Sequence, residues 1–132
     1  MPINFLLIGR PEDTGWRRIL RQALTPLGVL ETVSEADAGE RIAQYRCHAI
    51  VIIDATVIEN VPELVSRLRR QCPESRIVVA TASPTWQRAR DAFRAGAVDY
   101  IRKSWDSKEM LNAMREILSR SLSDEMEAME ER

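Results

Sequence analysis

The sequence predicts an α/β protein with a doubly wound, five-stranded parallel sheet and five helices, and three observations carry that expectation. First, two runs are wholly apolar, residues 5–8 and residues 49–53. Strands covered by helices on both faces read as continuous apolar runs rather than alternating ones. Second, each strand-like run is followed by a stretch whose apolar residues recur every three or four positions. Third, the connections are short, and right-handed crossovers then leave a parallel sheet as the economical topology.

Taken in order, residues 5–8 form the first strand, closed by Gly9, Arg10 and Pro11. Trp16, Ile19, Leu20, Ala23 and Leu24 give the first helix its inward face, up to Pro26. Residues 29–33 make a short second strand, and Ser34 caps a helix over 36–45. The third strand ends on Asp54. Val61, Pro62 and Glu63 open a third helix that turns Leu64, Val65 and Leu68 inward and stops before Pro73. Residues 76–81 form the fourth strand. Ser83 and Pro84 start a fourth helix with Trp86, Ala89, Ala92 and Phe93 on one face, and Gly96 ends it in a left-handed cap. Residues 98–101 are the fifth strand, after which Ser104 or Asp106 caps the last helix.

Composition narrows the function classes. At 132 residues, residues 1–122 make one domain, and 123–132 an acidic helical extension or tail. With 30% charged residues and a net charge of -1, no global field draws the chain to nucleic acid or an anionic membrane. The apolar stretch near the N-terminus is too short for a signal peptide or a span. Cys47, Cys72 and the single histidine, His48, lack metal-ligand spacing, and the two cysteines read as reduced thiols of a cytoplasmic protein. The chain has no glycine-rich phosphate loop, which argues against nucleotide binding.

The residue that organises the chain is Asp54. In open α/β sheets ligands bind at the carboxyl ends of the strands, so an acid emerging there is a functional candidate on placement alone. Thr81 and Lys103, taken without it, would be an ordinary strand-end hydroxyl and a surface lysine.

Several separated positions resemble the receiver domain of bacterial two-component response regulators, over roughly residues 3–120. Asp54 matches that family's phosphoacceptor, Thr81 with Ala82 its hydroxyl and small neighbour, and Lys103 its lysine. Tyr100 matches the aromatic that swings inward on activation, and residues 95–100 resemble the usual lead-in to it. The resemblance implies a flavodoxin-like fold with strand order 2-1-3-4-5. It also implies a phosphoryl group held on Asp54 by the Lys103 ammonium and the Thr81 hydroxyl, with Thr81 and Tyr100 as the switch.

The family binds Mg²⁺ through two adjacent acids after the first strand, the phosphoacceptor, and a backbone carbonyl two residues beyond it, here that of Thr56. Gly9 and Arg10 stand where those acids belong. Glu12 and Asp13 follow, in a place that suits the entry of the first helix; a displaced metal set of Glu12, Asp13, Asp54 and Thr56 is the alternative. The loop after Asp54 lacks the usual proline-glycine turn, with Ile58 and Val61 near those places. Ser104 replaces a proline, so the Lys103–Ser104 bond is expected to be trans. Arg10 has two readings: its guanidinium folds over the strand ends and pairs with Asp54, or it points to solvent or to Glu12 or Asp13.

These features lead to an atypical receiver acting as a phosphorylation-independent interaction module, with no enzymatic activity and no cofactor. The alternative is a working receiver that takes a phosphoryl group from a histidine kinase onto Asp54 with Mg²⁺, and the third reading is a small-molecule module at the same sheet edge. The expected partner is a histidine kinase, a downstream effector or a second copy, met through the fourth helix, fifth strand and last helix. Trp86 and Trp105 flank that side. Leu111, Met114 and Leu118 belong against the sheet, whereas Leu122, Met126 and Met129 continue the stripe as a dimer seam, a connector or a frayed end.

Overall fold

The computed structural model describes residues 2–12, 15–45 and 48–120. Five strands, β1 (Ile3–Ile8), β2 (Gly28–Val33), β3 (Ile50–Asp54), β4 (Arg76–Thr81) and β5 (Asp99–Arg102), alternate with helices. These are α1 (Gly15–Leu24), α2 (Glu35–Tyr45), α3 (Val61–Gln71), α4 (Trp86–Ala95) and α5 (Ser107–Ser119). The strands form one sheet in the order β2-β1-β3-β4-β5, and every neighbouring pair is parallel.

The all-apolar strands are explained by two separate cores. Phe5, Leu7, Ile50, Ile52, Val78 and Ala80 point to one face, against Trp16, Leu20 and Leu24 of α1 and Met110, Met114 and Ile117 of α5. Their neighbours in sequence, Leu6, Ile8, Val51, Ile53, Ile77 and Val79, point to the other, against Ile42 of α2, Leu64, Val65 and Leu68 of α3, and Ala92 of α4. Alternation along each strand thus sends consecutive residues into different cores, and both need apolar side chains. Each fully buried aliphatic side chain contributes about 1.5–3 kcal/mol, so the three central strands form the fixed frame on which their carboxyl ends are displayed.

Local chemistry sets the helix starts. Ser34 Oγ accepts from Asp37 N at 3.3 Å, Asn60 Oδ1 from Glu63 N at 3.2 Å, Thr85 Oγ1 from Arg88 N at 3.3 Å, and Asp106 Oδ1 from Lys108 N at 2.9 Å. Each side chain satisfies an amide that has no partner within the helix. Gly96 closes α4 at φ +124°, and a Cβ there would lie 2.9 Å from Arg69 Cγ, so both backbone and space call for glycine.

Two expectations are adjusted. The cap of α4 is Thr85, so the helix starts at Trp86 rather than at Ser83 and Pro84, and Trp86 is 67% exposed. Only Ala92 of that helix is buried. On α5 the fully buried stripe is Met110, Met114 and Ile117; Leu111 and Leu118 flank it, partly buried. The helix ends at Ser119 with Arg120 as its cap, and Leu122, Met126, Met129 and the rest of 123–132 lie outside the described residues, as do Asp13 and Cys47.

Candidate functional site at the carboxyl edge of the sheet

Register brings the candidate residues to one edge. Ile8 of β1 lies beside Ile53 of β3, Asp54 beside Ala80 of β4, and Thr81 beside Arg102 of β5. Gly9, Asp54, Thr81 and Lys103 therefore come off neighbouring strand ends within one residue of each other. The backbone continues the sheet slightly past its strands: Gly9 N donates to Val33 O at 2.9 Å, Ala55 N to Ala80 O at 2.9 Å, and Lys103 N to Thr81 O at 2.9 Å.

Asp54 is buried, with 6% of its surface exposed. Its Oδ1 receives two donors, Lys103 Nζ at 2.6 Å and the Thr56 backbone N–H at 3.0 Å. Lys103 Nζ also donates to Thr56 Oγ1 at 3.1 Å and stands 5.1 Å from the centre of the Trp16 ring. An ammonium over an indole face is held by the ring quadrupole as well as by the carboxylate. Trp16 acts on the loop too, since its Nε1 donates to Ser104 O at 3.1 Å. Ser104 N then meets Met110 Sδ at 3.4 Å, and Ser104 Oγ accepts from Asp106 N at 3.0 Å. The segment carrying Lys103 is thus tied to α1 and α5 without a proline, and among the described residues no peptide bond is cis.

Arg10 is not the cation of this site. It is exposed and makes no ion pair with Asp54, whose Oδ1 is already taken by Lys103. A Cβ on Gly9 would stand 3.4 Å from Asp54 Cβ and 3.8 Å from Asp54 Oδ2, so side chains at position 9 project toward Asp54. The next residue projects elsewhere, as alternation along an extended chain requires. An exposed pair would gain little in exchange for ordering a long side chain. Glu12 is exposed in the turn after Pro11, and among the described residues no group of three or more His, Cys, Asp or Glu gathers at any point.

Thr81 and Tyr100 reach the same edge but do not touch Asp54. Thr81 Oγ1 accepts from Ser83 N at 3.2 Å, which ties the hydroxyl to its own loop. Tyr100 packs inward on the α2, α3 and α4 side of the sheet, and its hydroxyl is buried with no hydrogen-bond partner among the described residues. Trp105 is 68% exposed. Two contributors were not singled out from the sequence: the Thr56 hydroxyl, considered only for its backbone carbonyl, and the Trp16 ring as a cradle for Lys103. A hydroxyl two residues past a strand-end acid was the available signal for the first.

A second polar cluster lies at the opposite end of β3. His48 is buried, its Nε2 lies 3.2 Å from Glu31 Oε1, and Glu31 also pairs with Arg41. Burial first, and the Arg41 charge second, hold the imidazole below its ordinary pKa of 6.5. Cys72 is buried in the end of α3, and burial raises its thiol pKa; it gives no sign of reactivity.

A doubly wound sheet in this strand order, with an acid on the third strand, a hydroxyl on the fourth and a lysine after the fifth, is the arrangement expected of a receiver domain. The chain belongs to the response regulator receiver domain family, whose model matches residues 12–115. It is 33% identical over 105 residues to the photosynthetic apparatus regulatory protein RegA of Rhodobacter capsulatus, covering 78% of this chain and 57% of that protein. It is 31% identical over 123 residues to the alginate biosynthesis transcriptional regulatory protein AlgB of Pseudomonas aeruginosa, covering 91% of this chain and 27% of that one. The chain thus spans from about a quarter to somewhat over half the length of these relatives. A response regulator from Thermotoga maritima superposes with a TM-score of 0.80 at 20% identity, over 91% of this chain and all of that one.

Proposed function

We propose that this receiver domain signals through protein contacts without metal-dependent phosphorylation. The observation that carries the reading is that Gly9 and Arg10 replace the acid pair and that, among the described residues, no three acids gather around Asp54, which meets Lys103 at 2.6 Å. Mg²⁺ prefers near-octahedral oxygen ligands and surrenders water reluctantly. Asp54 and a backbone carbonyl do not make such a set. With no metal to neutralise it, a phosphoryl group on Asp54 would add negative charge at a buried site with Lys103 as its neighbouring cation. Lys103 instead supplies a resident positive charge 2.6 Å from the Asp54 carboxylate.

In this reading the domain is a cytoplasmic, non-enzymatic module without a cofactor. Its partner is a histidine kinase, an effector or a second copy, met through α4, β5 and α5, where Trp86 and Trp105 are 67% and 68% exposed. Among the described residues no helix is long and apolar enough to cross a membrane. Trp16 provides the test, because its ring lies 5.1 Å from Lys103 Nζ and would report displacement of that ammonium. Tryptophan emission is expected to stay unchanged through a millimolar Mg²⁺ titration. A saturable change absent from Asp54→Asn would restore the metal-dependent alternative.

A further inference from the structure

Charge is unevenly distributed along this chain. Helices α3 and α4 carry six arginines against two acids, Glu63 and Asp91, whereas residues 121–132 carry five acids and one arginine. Glu63 lies in the first turn of α3, under the Asn60 cap, and Asp91 stands 4.0 Å from Arg90. The carboxyl ends of both helices are therefore left basic. Arg67, Arg70 and Arg94 are exposed, and among the described residues none of them forms an ion pair, even with Glu74 in the turn after α3. The two ends adjoin, since a Cβ on Gly96 would lie 2.9 Å from Arg69 Cγ. A helix carboxyl terminus favours cations through its dipole, which accounts for Arg69, Arg70 and Arg94 without any ligand. The course of the chain beyond α5 is a second, independent observation.

Arg120, the cap of α5, is clamped to this same edge of the sheet. Its guanidinium donates to Val98 O at 3.4 Å and to Asp99 Oδ2 at 3.2 Å, and its carbonyl accepts from the Arg76 guanidinium. Arg69 Nη1 donates to Ser75 O at 3.5 Å, one residue before Arg76, so the basic helix ends and the exit of the chain share one short loop. From Arg120, residues 121–123 span at most about 10 Å when extended. Asp124, Glu125, Glu127, Glu130 and Glu131 follow directly. We propose that this acidic segment, residues 124–131, docks on the basic carboxyl ends of α3 and α4 of the same molecule. Guanidinium and carboxylate match in charge and geometry, and a short tether raises their effective concentration to the millimolar range, so that exposed pairs which are weak singly act together. The contact neutralises a patch that otherwise draws anionic partners, and it leaves Trp86, at the other end of α4, and Trp105 uncovered. It does not depend on whether Asp54 is phosphorylated.

The test compares amide NMR spectra of the full ¹⁵N-labelled chain with those of the same chain carrying Asp124→Asn, Glu125→Gln, Glu127→Gln, Glu130→Gln and Glu131→Gln. The amides of Arg70, Gln71, Arg94 and Ala95 are expected to differ between the two, while those of Ala55 and Ile58, beside Asp54, coincide and report an intact fold. Raising NaCl from about 20 to about 500 mM shortens the screening length from roughly 20 Å to roughly 4 Å and should carry the four parent amides toward their positions in the variant. The variant itself should respond far less. In a second chain with Arg67→Gln, Arg70→Gln and Arg94→Gln, the amides of residues 125–130 should sit at the positions they take in the parent at high salt. Coincident parent and variant spectra at the ends of α3 and α4, or salt shifts of equal size in both, would overturn the inference. Shifts that hold through an about twentyfold dilution place the contact within one molecule; shifts that change with dilution would assign the segment to a second copy and overturn the proposal as stated.

Discussion

Lys103 Nζ lies 2.6 Å from Asp54 Oδ1, across the end of β4 that separates their two strands. Both side chains are largely buried, at 12% and 9% exposure, so water screens the pair only weakly. Removing one partner leaves a buried charge whose loss of stability exceeds the net worth of the pair itself.

Lys103→Met and Asp54→Asn are therefore expected to be coupled. Each should lower unfolding free energy by about 1–3 kcal/mol, Lys103→Met the more because it leaves the buried Asp54 side chain without its ion-pair partner. The double variant should recover part of the loss. Urea denaturation of the four proteins measures this, and strictly additive effects would mean that the contact is energetically idle.

How far this site was legible from the sequence differs by residue. Asp54, Thr81 and Lys103 could be placed because strand ends are marked by where apolar runs stop, and a parallel sheet aligns those stops. The identity of Asp54's cation could not, since it depends on where a loop side chain projects. Arg10 had charge and proximity in its favour, but alternation directs position 9, a glycine, at Asp54 instead. On α4 the helical spacing of Trp86, Ala89, Ala92 and Phe93 marks one face, of which only Ala92 is buried. Periodicity gives a helix a face without saying how deeply that face is buried. On α5 the expected Leu111, Met114 and Leu118 all pack on the core, and Met110 and Ile117 complete its buried face.

The missing acids can be returned. A Cβ at Gly9 would make ordinary contact with Asp54, so Gly9→Asp should be accommodated without rearranging the strand end. Together with Arg10→Asp, it is expected to create a Mg²⁺ response in Trp16 emission at millimolar concentration. A double variant that stays silent would show that the loop after Asp54, with Thr56 engaged by Lys103, blocks the metal on its own.

At the other end of β3, His48 makes stability depend on pH. Its folded pKa lies below 6.5, so between the two values the unfolded chain binds the proton and the folded chain does not. The contribution is full above about pH 6.5 and is lost as pH falls toward the folded pKa. His48→Gln should flatten the stability profile in that window, as followed by thermal melts from pH 7.5 down to 5. A parent protein that gains stability on acidification through that range would contradict the assignment.

The central claim is that Asp54 keeps Lys103 as its permanent counter-charge and does not accept a phosphoryl group. Intact-mass measurement after incubation with acetyl phosphate and Mg²⁺ tests it most directly. The account predicts a single species at the unmodified mass, identical to that of Asp54→Asn under the same conditions. A phosphoryl adduct that appears on the parent chain and is absent from Asp54→Asn would contradict it.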